Sequence, residues 1–71
     1  MYTIELNVKE LDNRLIEAMR GIGTNNGFDV FNHGKDQLVF ASDRGVNITK
    51  LIDELNRVCE SYSVDYVSLL L

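Results

Sequence analysis

Apolar residues recur along this chain with a period that switches between two and about 3.6, in the order β-α-β-β-α-β. Within 71 residues that order leaves room for one domain and one core. Both helices are expected to pack on one face of a four-stranded antiparallel sheet. The other face would then lack a covering layer, and whatever occupies it becomes the main question about function.

The first strand is read from Tyr2, Ile4, Leu6 and Val8, which alternate with Thr3, Glu5 and Asn7. Tyr2, Ile4 and Leu6 are assigned to the helix-covered side. Leu11, Leu15, Ala18, Met19 and Ile22 then recur at helical spacing. Asn7 with Glu10 matches a capping box. Gly21 and Gly23 are expected to end this helix, and Thr24-Asn25-Asn26-Gly27 to form a loop. Phe28 to His33 and Gln37 to Ser42 read as a strand pair, joined by a hairpin turn at Gly34-Lys35-Asp36. Asp43-Arg44-Gly45 connects onward.

The second helix carries the most regular stripe: Ile48, Leu51, Ile52, Leu55, Val58, Cys59 and Tyr62. Asn47 is placed as its N-cap, and Val46 with Leu51 as a hydrophobic staple. Ser61 and Ser63 bracket its exit. Val64 to Leu71 reads as a fourth strand.

With a right-handed crossover in each βαβ half, the usual solution for this order is the ferredoxin-like sandwich. That solution is an α+β fold over residues 1–71, with strands one and three central and two and four at the edges. In that arrangement Thr3, Glu5 and Asn7 point to the open face, joined by Asp29, Phe31 and His33 from the second strand. Strands three and four are apolar on both faces: Leu38 and Phe40 alternate with Val39 and Ala41, and Tyr66 and Leu70 with Val67, Leu69 and Leu71. A strand buried on one side only alternates cleanly. The open face is therefore expected to carry an apolar patch of the kind that marks an interaction site. Thr3, Glu5, Asn7, Phe31, His33 and Tyr66 are assigned to partner binding.

Other families with this layout lack their diagnostic residues here. An RNA-recognition domain would place aromatics where Thr3, Glu5 and Asn7 stand. A heavy-metal carrier would show Cys-x-x-Cys after the first strand, where this chain has Val8-Lys9-Glu10. An amino-acid-sensing ACT domain would show a Pro-Gly type turn there. A CRISPR-adaptation ribonuclease would end the first strand in Asp, and this chain has Asn7.

Composition narrows the chemistry. The net charge is −4 and the seven Lys and Arg are scattered singly, which disfavours a nucleic-acid ligand. One cysteine and one histidine leave no disulfide framework and no His-Cys metal cluster. Cofactors are not expected. No signal peptide or membrane span is apparent, and the expected setting is cytoplasmic.

His33 lies at a strand end beside Gly34, where a surface role outweighs general-base work without a partnered pocket. Cys59 sits on an apolar stripe that buries it. Gly21, Gly23 and Gly27 follow a helix, whereas a phosphate cradle opens one. Asp53-Glu54 and Asp12 with Glu17 fall on solvated helix faces.

The expectation is a non-catalytic interaction module. It would regulate or inhibit a larger protein, in the manner of small phage or mobile-element proteins, or self-associate into a homodimer. The alternatives are a nucleic-acid module stacking bases on Phe31 and Tyr66, and a ligand sensor or small enzyme centred on His33.

Overall fold

The structure, a computed structural model, describes residues 2–44 and 47–62, and the backbone of 66–70. The elements are β1 (Tyr2–Val8), α1 (Asn13–Asn25), β2 (Asp29–His33), β3 (Gln37–Ser42), α2 (Ile48–Ser61) and β4 (Tyr66–Leu70). The fold is α+β: an antiparallel sheet, β2-β3-β1, carries two helices. The backbone of β4 runs antiparallel along the far side of β1, with Leu70 opposite Glu5 and Ser68 opposite Asn7.

Strand alternation builds the core. Ile4, Leu6 and Val8 from β1 and Leu38 and Phe40 from β3 share one face. Against them pack Leu15 and Met19 of α1 and Leu51, Leu55 and Cys59 of α2, and Phe28 belongs to the same cluster. Burying side chains of this size contributes about 1.5–3 kcal/mol each. Val30 of β2 packs against the same cluster, while its neighbours Asp29 and Phe31 are exposed. Tyr2 departs from its inward assignment and stays half exposed. It pairs with Ser42 at the sheet's end, outside the core cluster.

The start of α1 also differs from expectation. The capping box at Asn7 and Glu10 does not form: β1 continues through Val8, and α1 begins at Asn13. The reason is non-local. The Val8 and Leu11 amides donate to the carbonyls of Asp36 and Lys35, each at 2.8 Å, tying this segment to the hairpin turn. Asp12 becomes the N-cap, its carboxylate accepting from the Leu15 amide at 2.8 Å. It thus has a structural task beyond the solvated helix face assigned to it.

Nor does α1 end at Gly21 and Gly23, since it continues to Asn25. Gly23 is needed for close approach: a Cβ there would collide with Val30 and come within 3.0 Å of Phe40 Cδ2. The helix stops at Asn26-Gly27-Phe28. The Gly27 amide donates to Thr24 and the Phe28 amide to Gly23, with Gly27 at φ +79°. That is a Schellman stop, with glycine in the left-handed position. Thr24 and Asn25, assigned to a loop, are helical.

Asn47 does occupy the N-cap of α2, but its side chain makes no capping bond. The first helical bond is Leu51 amide to Asn47 carbonyl, 2.8 Å. The expected staple involves Val46, and the expected exit Ser63. Both lie outside the described residues, as do Gly45, Val64 and Leu71. The hairpin turn forms as read, with Gly34 at φ +73°.

Candidate functional site

The register of the sheet arranges the outward residues in three rows. Asp29, Ala41 and Thr3 form the first, Phe31, Val39 and Glu5 the second, and His33, Gln37 and Asn7 the third. They share a face because directly opposed residues in an antiparallel sheet point the same way. All alternate with the core residues of the same strands, so they face away from both helices.

Five of the six assigned binding residues are brought together here. Thr3, Phe31 and His33 are exposed, while Glu5 and Asn7 are half buried. Phe31 is the central feature, 50 % exposed on an edge strand and paired with Val39. Gln37 Nε2 donates to Asn7 Oδ1 at 3.0 Å, giving the third row a polar closure. Tyr66 lies opposite the core residue Val8 by register, at an irregularity after Asn7. Its side chain, like those of Val67, Leu69 and Leu70, lies outside the described residues.

The apolar pair that β3 presents outward is settled as Val39 and Ala41, because Leu38 and Phe40 are fully buried. With the exposed Phe31, the half-buried Val39 and the buried Ala41 make an apolar strip across the first two rows. Two carboxylates flank it, Asp29 at one corner and Glu5 beside Val39. No Lys or Arg occurs in any of the four strands.

The sequence reading missed a cleft at the end of this face. Its volume is about 500 Å³. It is lined by Asp29 and Phe31, by Ala41 to Arg44 at the end of β3, and by Asn26, Gly27 and Asn47. Antiparallel pairing explains the meeting: β2 begins where β3 ends, so the stop of α1 and the start of α2 arrive at the same edge. The available signal was two polar runs in the sequence, Thr24 to Gly27 and Asp43-Arg44, bracketing the hairpin. At the cleft wall, Asn26 is 1 % exposed. Its Nδ2 donates to the Ile22 carbonyl at 2.8 Å, and its Oδ1 has no partner among the described residues.

The remaining candidates carry less chemistry. His33 lies outside the residues lining the cleft. Cys59 is a buried free thiol, and burial pushes its pKa up, away from the reactive thiolate. On the helical side, Arg14 stacks over the Tyr62 ring at 5.9 Å. Among the described residues, no three His, Cys, Asp or Glu side chains gather where they could hold a metal ion, and no helix is long and apolar enough to cross a membrane.

Compared with family models, curated proteins and solved structures, the chain matches none.

Proposed function

We propose that this domain is a non-catalytic protein-interaction module that docks another protein on its open sheet face, and through it regulates or inhibits that protein. The observation that carries this reading is Phe31, half exposed beside Val39 on a face that neither helix covers. An exposed aromatic anchor beside apolar side chains is a usual energetic focus of a protein interface. The strand order β2-β3-β1-β4, with both helices feeding one core, supports the finer reading of the fold as a ferredoxin-like sandwich. A fold of this kind leaves one sheet face for binding.

The test is a Phe31→Asp variant. Its far-UV circular dichroism and melting temperature should match wild type, because Phe31 lies outside the core. Capture of the partner by the immobilised wild-type domain should be lost in the variant. A variant that captures the same partner equally well would sink the reading.

A further inference from the structure

We propose that the occupant of the open face is a heterologous protein surface, apolar at its centre and carrying Arg or Lys, with a cation beside Asp29 and another beside Glu5. This deepens the reading above and rests on it. Charge complementarity around the apolar strip selects this partner. Glu5 sits half buried in the middle row next to Val39. A partner covering Phe31 and Val39 also takes water from this carboxylate, and a desolvated carboxylate without a donor is costly. The strands of this chain hold no Lys or Arg to supply one. A cationic donor on this face therefore comes with the partner.

A second copy fits poorly for the same reason. Laid face to face, it brings another Glu5 and another Asp29, and its strands offer only His33 as a basic side chain. Phosphate-bearing polymers meet the same two carboxylates.

The cleft adds an independent observation. Asp29 and Asp43 line it against a single cation, Arg44, leaving two carboxylates to one guanidinium. Such a lining favours a donor-rich group, and a guanidinium or ammonium is donors only. Glu5 and Asp29 stand two strands and one row apart, on the order of 12 Å. An extended segment spaces every fourth residue by roughly the same distance.

The probes are two synthetic peptides, titrated into isotope-labelled protein and followed by amide NMR: one repeats Arg-Thr-Leu-Thr, which when extended puts arginine and leucine on one face with arginines four residues apart, and the other has glutamate in place of arginine. The arginine peptide should shift Glu5, Asp29, Phe31 and Val39. Its affinity should fall roughly tenfold in the isosteric double variant Glu5→Gln, Asp29→Asn, the size expected for losing two partly exposed charge pairs. The inference is overturned by equal binding of the glutamate peptide, by unchanged affinity in the double variant, or by no shift on this face. Concentration-dependent shifts of the same residues without peptide would make a second copy the occupant and also overturn it. Binding that ignores charge but is lost in Phe31→Asp would defeat this inference and leave the proposed function standing.

Discussion

Gly23 of α1 lies so close to Phe40 of β3 that a methyl group on its Cα would come within 3.0 Å of the ring. The contact sets how near α1 can approach the sheet, and it uses the largest fully buried side chain of the core. Gly23→Ala must push Phe40 and Val30 aside. The expected loss is about 1–3 kcal/mol, read from urea unfolding. Gly21 in the same helix has open space around its Cα. Gly21→Ala should therefore stabilise by about 0.4–1 kcal/mol. Equal effects at the two positions would contradict the packing described.

The caps of the two helices separate in the same assay. Asp12 bonds the Leu15 amide, whereas Asn47 makes no side-chain bond. Asp12→Ala should cost about 1 kcal/mol, and Asn47→Ala clearly less. Denaturation midpoints of the two variants at neutral pH decide it.

Gly27 holds the left-handed position that stops α1. Its surroundings are open, so only backbone strain opposes a side chain. Gly27→Ala should destabilise by about 1–2 kcal/mol, and Gly27→Asn by less, because asparagine tolerates that region. Thermal melts of both variants provide the comparison.

Cys59 makes a pH prediction. Burial raises its pKa above the ordinary value of 9.0, so the unfolded chain loses this proton at lower pH than the folded one. Between the two values the folded state binds more protons, and stability falls as pH rises. The contribution is complete below pH about 9 and declines above it. Urea midpoints measured across the alkaline range should fall more steeply for wild type than for Cys59→Ala. In the folded protein at neutral pH, a thiol reagent should react slowly and speed up on adding denaturant.

Much of this molecule is legible in its residues because the signals are local. Alternation in Ile4, Leu6 and Val8 named the core side of β1, and the stripe Leu51, Leu55 and Cys59 named that of α2. Gly34 marked the hairpin turn. Five of the proposed binding residues followed from parity alone, since a strand with known inward residues has known outward ones. Tyr2 failed that rule because parity says which way a side chain points and not whether anything lies above it.

The pattern of the chain by itself determined the element order, the helical stripes and the outward set at Thr3, Glu5, Asn7, Phe31 and His33. Tertiary structure decided where α1 starts and stops, which outward pair β3 presents, and the cleft that joins Asn26, Asp29, Asp43 and Asn47. Each of these rests on contacts between residues far apart in sequence. The Val8 and Leu11 amides reach the turn at 35–36, Gly23 meets Phe40, and β2 pairs with β3. Periodicity reports the preferences of neighbours a few positions apart. Distant partners are chosen only when the chain packs, where a hydrogen bond or a close contact outweighs a local preference of about 1 kcal/mol.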